Sequence, residues 1–553
     1  MQKGKIVVVL AVAALLVAFV VPGDRLFEVT RSLDVFSSLF REVTINYVDE
    51  PDPDKLSKTA IDAMLESLDP YTVYIPKEES EAFDMITTGQ YAGIGASVIE
   101  LENKVMVSQP YSGFPAAGAG IRVGDEFVGV NGITVKGSGT ERVTSLLKGA
   151  PGTSVDVELR RAGSAQTIRM KLVRQRIKVP NVSFSGMMDS KTGLIRLSDF
   201  TPGAAKEVQT AWQALSRQGA CQLVLDLREN PGGILNEAVN VVNLFIPKGR
   251  EVVRTKGQQK ENDRVYRTLN QPMDVNIPMV VLVSSGSASA SEIVAGALQD
   301  YDRALLVGQR TFGKGLVQTT RMLSNGAQLK MTTARYYIPS GRCIQELDYA
   351  RRNEDGSASV KADSLRQTFR TSAGRKVYDG GGLMPDVEVE AAIPEGLVES
   401  LLSGGYLFLY AREYRATHPQ PADFRGFTVE QATYDHFVRW SQEKGFWLQS
   451  PMEAGLFDLE KAVRQEYSDQ RLNAALEAVK ETVRREHAAV LSRYQSDVKA
   501  WLEEEIAFHY GLEQARMQAS LDSDHEIVMA VKWLADPGQI KKMLSGHGAI
   551  VKP

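Results

Sequence analysis

The segment of residues 277–318 constrains the fold more than any other part of the chain, because it predicts a complete strand–helix–strand unit. Residues 279–283 form a short apolar run rich in β-branched side chains, which is typical of a strand buried on both faces. Small residues follow, and the helical spacing beyond them predicts a helix that begins near Ser289. Residues 304–307 predict a second buried strand, so the segment indicates an α/β sheet.

Two polar residues, Ser289 and Lys314, lie at the turns of this unit. The free N–H groups and the positive dipole end of a helix start can stabilise an oxyanion, so Ser289 could be a nucleophile. Lys314 lies between two glycines, and a lysine acts as a base only where a dry site or another cation keeps it neutral. One strand–helix–strand unit separates the two residues, which allows both to lie at one end of the sheet. The simpler interpretation is a helix-capping serine and an exposed loop lysine.

The distribution of histidines restricts the kind of serine chemistry that is available. A Ser-His-Asp triad needs a histidine beside the nucleophile. The first 417 residues contain none, so a triad built within them is excluded. All six follow later in the chain, as His418, His436, His487, His509, His525 and His547.

The motif SASASEIVAGALQD, followed by TFGKG and a VQ pair, resembles the signature of the C-terminal processing (tail-specific) proteases. Members of that family are PDZ-containing serine peptidases with a Ser/Lys dyad. The resemblance implies that Ser289 is the nucleophile and Lys314 the base. It also implies that Gln318, four residues further on, orients the lysine.

An earlier turn, in the sequence DLRENPGG, follows a predicted strand at residues 222–227. In the resembling family this turn and the residue after the nucleophile form the oxyanion hole. The resemblance therefore implies main-chain donors at Gly232 or Gly233 and at Ala290, whereas the simpler interpretation is a plain β-to-α turn. Alternating strands and helices over residues 181–394 indicate an α/β serine protease core, which the resemblance assigns to the ClpP/crotonase type.

Residues 81–180 show short strands and glycine turns that resemble a PDZ domain. The turn Gly93-Ile94-Gly95-Ala96 would hold the terminal carboxylate of a peptide on its main-chain N–H groups. The strand edge at residues 97–100 would pair with the peptide itself. A β-rich spacer without a ligand is the alternative.

Two further regions have helical patterns. Residues 25–80 predict two amphipathic helices, at 26–47 and 55–68, which either pack on the core or, as in the resembling family, mediate dimerisation. Residues 395–553 predict a mostly helical extension that could be a cap, an oligomerisation surface or a tether for an adaptor protein.

The amino-terminal residues 1–24 predict a signal peptide or a membrane anchor. Lys3 and Lys5 precede sixteen apolar residues, 6–21, and no Ala-x-Ala cleavage site follows them. Because the run is longer than a usual signal core and shorter than a comfortable membrane span, cleavage and retention both stay open. We expect a location in the periplasm, secreted or anchored to the inner membrane.

Composition narrows the partners and cofactors. A formal net charge of -4 without a long basic run argues against nucleic acid. We expect no metal or cofactor, because the protease portion lacks histidines and clustered cysteines, and we expect Cys221 and Cys343 to be unpaired and mostly buried.

These patterns together predict a multidomain α/β envelope serine endopeptidase that binds protein C-termini through its PDZ-like domain and forms a homo-oligomer, with a dimer favoured. Two alternatives come from other classes. One is a catalytically silent PDZ-type scaffold, and the other is an assembly protein in which the helical tail matters most.

Overall fold

The computed structural model describes residues 23–80, 83, 88–353, 356–361, 363–390, 393–446, 448, 451–466 and 470–547. The predicted signal or anchor run, 6–21, lies outside these residues. Among the helices that are described, none combines the length and the apolar character needed to cross a bilayer. The described chain divides into two compact units, one with residues 23–77 and Thr320–Met331, the other with the remainder.

The smaller unit contains the two predicted amphipathic helices and one short strand. The elements are α1 (Gly23–Asn46), α2 (Pro53–Glu66) and β1 (Val73–Ile75). Asp52 caps α2 by accepting from the main-chain N–H of Asp54 at 2.9 Å. Strand β1 pairs antiparallel with the segment from Gln328 to Lys330. Large apolar side chains along α1 are exposed, including Phe27, Leu33, Phe36, Leu39 and Val43.

The PDZ-like region is a β-sheet with two short helices. Its strands are β2 (Gln90–Gly93), β3 (Ala96–Leu101), β4 (Lys104–Pro110), β5 (Glu126–Val130), β6 (Ile133–Thr134), β7 (Ser154–Arg160), β8 (Thr167–Val173) and β9 (Gln175–Lys178), and its helices are α3 (Pro115–Gly118) and α4 (Gly139–Leu147). The main strand order is β3-β4-β5-β7-β8, while β6 pairs with β5 and β2 with β9. Strand β3 therefore lies at a sheet edge.

Residues 181–394, the predicted protease core, are called the catalytic region and contain a second sheet with the order β10-β11-β12-β15-β16-β23. Only the β10–β11 pair is antiparallel; the other neighbours are parallel, as expected for an α/β core. The six strands of this sheet are β10 (Val182–Met187), β11 (Thr192–Leu197), β12 (Gln222–Asp226), β15 (Met279–Val283), β16 (Leu305–Gly308) and β23 (Val387–Glu388). The other strands of the region lie outside it and are β13 (Glu251–Gly257), β14 (Arg264–Arg267), β17 (Leu316–Met322), β18 (Gln328–Tyr337), β19 (Leu347–Arg352), β20 (Ala358–Val360), β21 (Thr368–Arg370) and β22 (Lys376–Tyr378). The helices are α5 (Ala204–Arg217), α6 (Leu235–Asn243) and α7 (Ala290–Asp300).

Both cysteines of this region are unpaired, but the expected burial is wrong for Cys221. Its side chain is exposed, whereas Cys343 is half-buried. The reason is position: Cys221 precedes the first residue of β12, outside the strand that is buried.

The carboxyl-terminal extension is helical, as predicted. It consists of α8 (Glu395–Ser403), α9 (Tyr406–Thr417), α10 (Gln431–Glu443), α11 (Pro451–Glu466), α12 (Gln470–Arg493), α13 (Gln495–Ser520), α14 (His525–Leu534) and α15 (Pro537–Lys542).

The two faces of the catalytic sheet are covered by different parts of the chain. Successive residues of a strand point to opposite faces. In β15, Val281 and Val283 pack with α5, α6 and α7, whereas Val280 and Leu282 pack with the end of the extension. The extension contributes Met517, Leu521, Ile527, Ala530, Trp533, Leu534, Ile540 and Met543 to this second layer. The strand is thus buried on both faces, as predicted, and the extension supplies one of the two layers.

The first half of the extension packs instead on the PDZ-like region. Leu101 and Met106, on β3 and β4, share an apolar cluster with α8, α9 and α10. Two polar contacts border that cluster, because Lys444 pairs with Glu102 at 2.8 Å and Arg412 donates to the carbonyl of Gly124 at 2.7 Å. The extension therefore contacts both the PDZ-like region and the catalytic sheet.

Helix α13 belongs to both contact regions. Val498, Leu502 and Ile506 pack in the PDZ-side cluster, and Met517 packs under the catalytic sheet. Between them the helical geometry breaks at Gly511-Leu512, where Leu512 has φ 58° and ψ −154°. An L side chain rarely adopts such a backbone conformation, so the surrounding contacts must hold it there.

Candidate active site

Ser289 lies at the turn between β15 and α7 in a strained main-chain conformation. It precedes the first residue of α7 and has φ 55° and ψ −110°. A positive φ at a non-glycine residue is costly and is often found where a side chain must be presented in a fixed direction. The hydroxyl of the fully buried Tyr336 donates a hydrogen bond to the carbonyl of Ser289 at 3.1 Å, which helps to fix the turn.

The carboxylate of Glu292 joins the serine turn to the lysine loop. Its Oε2 accepts from the main-chain N–H of Ser289 and from that of Lys314, each at 2.9 Å. Its Oε1 accepts from the hydroxyl of Thr311 at 2.6 Å and from the main-chain N–H of Gly313 at 2.8 Å. The two predicted dyad residues therefore have their main chains bonded to one oxygen atom, which brings them to one end of the sheet.

Glu292 is fully buried, and this changes its acid strength. Burial raises the pKa of this carboxyl from 4.5 to about 7, although the four donors partly oppose the shift. A buried carboxylate that accepts four hydrogen bonds is a rigid link between two loops, because breaking any one of the bonds leaves a buried polar group unpaired.

The glycines on both sides of Lys314 allow the loop to pass close to neighbouring main chain. A Cβ at Gly313 would lie 2.9 Å from the nitrogen of Gly382, and one at Gly315 would lie 2.8 Å from the nitrogen of Gln345. The loop therefore passes close to neighbouring main chain at both glycines, and Lys314 between them is half-buried. Gln318 lies on β17, where its Nε2 donates to the hydroxyl of Thr332 at 3.2 Å, so its role toward Lys314 stays a prediction.

Gly232 lies directly against the serine turn. A Cβ on Gly232 would come within 2.7 Å of the carbonyl of Ala288, and within 2.8 Å of both Ser289 Cβ and the nitrogen of Ala290. Its φ of +104° also favours glycine. The N–H of Gly232 is already engaged, since it donates to Asn230 Oδ1 at 2.9 Å.

Gly233 differs from Gly232 in its surroundings, a distinction that the sequence did not provide. A Cβ on Gly233 would lie 2.7 Å from the carbonyl of Phe200, and the residue pairs with Phe200 in a parallel bridge. Within the described chain, the N–H groups of Gly233 and Ala290 have no hydrogen-bond partner. Unpaired N–H groups beside a serine are what an oxyanion hole requires.

A row of serines ties the glycine turn to the serine turn. Both turns follow neighbouring parallel strands, β12 and β15. Hydrogen bonds between them include Ser287 Oγ to Leu227 O at 2.8 Å, Ser291 Oγ to Asn230 O at 2.8 Å, Ala288 N to Asn230 O at 3.1 Å, Ser284 Oγ to Glu229 Oε1 at 2.8 Å, and Glu229 N to Ser284 Oγ at 3.2 Å. The small residues of the SSGSASAS sequence thus allow the tight turn and also bond it to the neighbouring glycine turn.

Two supporting residues were missed from the sequence. Glu292 follows Ser289 by three positions, and that spacing is typical of a capping box, so the pattern could have identified it. Arg228 was missed because its partners are far away in the chain. It bonds Asp226 in its own turn, and Asp524 and Glu526 at the start of α14.

The predicted peptide-binding turn lies beside the edge strand β3. Gly95 has φ +77°, and a Cβ there would lie 2.4 Å from Phe114 Cβ, so the turn needs a glycine. The carbonyl of Ile94 accepts from the N–H of Ala116 and that of Gly95 accepts from the N–H of Tyr111, both at 2.8 Å. Gly93 ends β2 and Ala96 begins β3, so the turn leads into the strand edge that is available for pairing.

Three family descriptions match separate segments of the chain. Peptidase family S41 matches residues 191–350, PDZ domain matches residues 92–172, and "Probable PDZ-protease, C-terminal helical domain" matches residues 397–534. The last of these covers most of the helical extension.

Curated relatives are named as proteases of the same kind. The chain is 36% identical over 314 residues to the carboxy-terminal processing protease CtpA of Bacillus subtilis (strain 168), covering 57% of this chain and 66% of that protein. It is 37% identical over 320 residues to a probable CtpA-like serine protease of Staphylococcus aureus (strain N315), covering 57% and 62%. Less than two thirds of each relative's length is thus matched.

Among solved structures, the photosystem II D1 C-terminal processing protease is 30% identical, with 66% of this chain and 94% of that chain covered and a TM-score of 0.35.

The match to peptidase family S41 covers residues 191–350, which include both Ser289 and Lys314. The chain therefore belongs to the peptidase S41 family of C-terminal processing proteases.

Proposed function

We propose that this protein is a serine endopeptidase that captures protein C-termini and cleaves peptide bonds with Ser289 and Lys314. The observation that carries the proposal is the shared carboxylate oxygen of Glu292, which holds the main chains of both residues. The relatives named as proteases support the same chemistry. A scaffold that binds without cleaving is not favoured, because none of these features is needed for binding alone.

In the proposed reaction, neutral Lys314 removes the proton from the Ser289 hydroxyl as its oxygen attacks the scissile carbonyl. The N–H groups of Ala290 and the Gly232-Gly233 turn stabilise the negative charge on the carbonyl oxygen. Lys314 then returns its proton to the leaving amine. Water hydrolyses the resulting acyl-enzyme and regenerates the serine.

Substrate capture is assigned to the PDZ domain. The terminal carboxylate of a substrate would bind the N–H groups of the turn Gly93-Ile94-Gly95-Ala96. The adjoining residues would extend the sheet along the edge of β3. The position of β3 at the edge of its sheet supports this mode of binding.

The location and the oligomeric state are part of the proposal. We place the enzyme in the cell envelope, secreted or anchored through residues 6–21, because a basic start followed by sixteen apolar residues is typical of export. A homodimer is favoured, since α1 exposes a series of large apolar side chains that a second copy of the chain could cover. The molar mass of the full chain in solution tests this part.

The experiment that tests the activity is cleavage of an unfolded model protein and of a short reporter peptide by the purified full chain. Ser289→Ala and Lys314→Ala should each lower kcat by at least about 10³-fold, because each removes one member of the dyad. Binding of a C-terminal peptide should remain, since the PDZ turn is unchanged. Full cleavage by either variant, or binding without any cleavage by the unmodified chain, would refute the proposed peptidase.

A further inference from the structure

Arg228 connects the glycine turn of the active site to the helical extension. Its side chain is 12% exposed. Nη2 lies 2.9 Å from Asp226 in the same turn, whereas Nη1 lies 2.8 Å from Asp524 and 2.9 Å from Glu526. The last two residues belong to the start of α14, so one guanidinium joins the catalytic sheet to its second layer.

The position of Arg228 makes this contact relevant to the oxyanion hole. Arg228 is two residues before Asn230, whose Oδ1 accepts from the N–H of Gly232 and whose Nδ2 donates to the carbonyl of Leu197. Between them, Glu229 has φ 57°, a strained conformation for a non-glycine residue. A strained turn keeps its shape only while its flanking contacts fix it, and Arg228 provides the contact on one flank.

Electrostatic attraction to three carboxylates stabilises the contact that Arg228 makes between the glycine turn and α14. Burial alone would lower the pKa of Arg228, but the carboxylates of Asp226, Asp524 and Glu526 raise it well above its ordinary value, so the guanidinium stays charged. Charge-assisted hydrogen bonds of this kind are stronger and more directional than neutral ones. Planar guanidinium geometry also allows Arg228 to bind carboxylates on two sides at once.

Helix α14 does not depend on Arg228 for its own position. Ile527, Trp533 and Leu534 are buried against the catalytic sheet. Asp524 also caps α14 by accepting from the N–H of Ile527 at 3.0 Å, a role that asparagine can fill equally well. The ion pairs can therefore be removed while the second layer stays in place.

We propose that Asp524 and Glu526 are positioning residues for the peptidase reaction, because they hold the oxyanion turn through Arg228. This inference rests on the proposed function. It gives the helical extension a part in catalysis, in addition to its covering of the sheet. Neither residue touches substrate; both act through the geometry of the Gly232-Gly233 turn.

The test is the double variant Asp524→Asn/Glu526→Gln in the full chain, with Glu526→Gln alone as a milder second variant. The matched control is Asp522→Asn. It removes an acidic residue from the loop between α13 and α14 and breaks an ion pair with Arg425 at 2.7 Å. For a short reporter peptide we expect kcat of the double variant to fall about tenfold or more with KM unchanged, since small displacements of catalytic groups are costly. The control should match the unmodified chain.

A second readout keeps the inference separate from the proposed activity. Amide hydrogen exchange over residues 227–234 should become faster in the double variant and stay unchanged in Asp522→Asn, whether or not the protein cleaves peptides. If the unmodified chain shows no cleavage, the proposed function fails, and exchange alone decides the positioning role. Unchanged exchange at the turn, unchanged kcat, or an equal loss in the control would each overturn the inference.

Discussion

The two turns of the candidate active site resemble each other in geometry and differ in what supports them. Each follows one of two adjacent parallel strands, and each contains a non-glycine residue of positive φ, Ser289 in one and Glu229 in the other. The serine turn is fixed from within the catalytic region, by Glu292 and Tyr336. The glycine turn is fixed partly by the extension, through the partners of Arg228.

This difference separates two requirements of catalysis. The proposed nucleophile and base share a support that is local in sequence, so their arrangement belongs to the catalytic region itself. The proposed oxyanion donors depend on a contact between two regions. Substitutions at the serine turn should therefore act on the dyad, whereas substitutions around Arg228 should act on stabilisation of the oxyanion.

Among the substitutions that test this comparison, the largest effect should come from Gly232→Ala, which tests how closely the two turns fit. The added methyl would overlap the main chain of Ala288 and Ala290, and would also strain a φ of +104°. We expect kcat for a short peptide to fall by roughly 10²–10³-fold, comparable to the loss of an oxyanion donor. The control is Gly249→Ala, which has a similarly positive φ but open space around its Cβ. Equal losses in both variants would show that strain alone is responsible.

A smaller loss is expected from Glu292→Gln, which tests the local support of the dyad. If the amide oxygen of glutamine accepts from Ser289 and Lys314, its NH₂ faces Thr311 and Gly313; the Thr311 hydroxyl can accept from this NH₂, but the hydrogen bond from the N–H of Gly313 is lost. We expect kcat to fall about tenfold to hundredfold, because the loop that carries Lys314 would lose its attachment at Gly313. Steady-state kinetics with a short peptide measure this, and an unchanged kcat would contradict the proposed support.

The last prediction concerns the pH dependence of stability. Because the pKa of Glu292 is raised to about 7 in the folded protein from 4.5, the folded state binds the proton more tightly. The stability gained from this group is fully present below pH 4.5 and is lost as the pH rises through 7, a change on the order of 3 kcal/mol. The stability of the unmodified chain relative to Glu292→Gln should therefore decrease between pH 5 and pH 8.

A control of opposite sign is available for that measurement. Burial opposes ionisation of Glu207, but bonds from Lys178 and Asn181 lower its pKa overall. The contribution of Glu207 to the free energy of unfolding should therefore be lost as the pH falls. The difference in stability between the unmodified chain and Glu207→Gln should accordingly become smaller at acidic pH. If both variants shift in the same direction in thermal unfolding, the assigned pKa direction for Glu292 is wrong.

The sequence predicted the serine turn well because its determinants are local. A buried strand, small residues and a helix start within about twenty positions of each other are sufficient to place Ser289 at the beginning of α7. Glu292 could also have been predicted, because its spacing of three positions from Ser289 is typical of a capping box. The glycine turn was located from its DLRENPGG sequence, but the difference between Gly232 and Gly233 required the packing of Phe200 and Ala288.

The partners of Arg228 could not be predicted from the sequence. Asp524 and Glu526 follow Arg228 by 296 and 298 positions and lie in a segment whose pattern predicts only a capped helix. No periodicity indicates which face of the catalytic sheet that helix covers. Long-range ion pairs are specified by the assembled fold, so a single sequence leaves them open.

The covering of the catalytic sheet by α14 also has a consequence for biosynthesis. Val280 and Leu282 leave the ribosome well before Ile527 and Trp533, which will bury them. Until the helix has been synthesised, the sheet has a bare apolar face and Arg228 lacks two of its three carboxylates. On the proposed function, a nascent chain is therefore an incomplete enzyme, and we expect proteolytic activity only after the extension has been made and has folded.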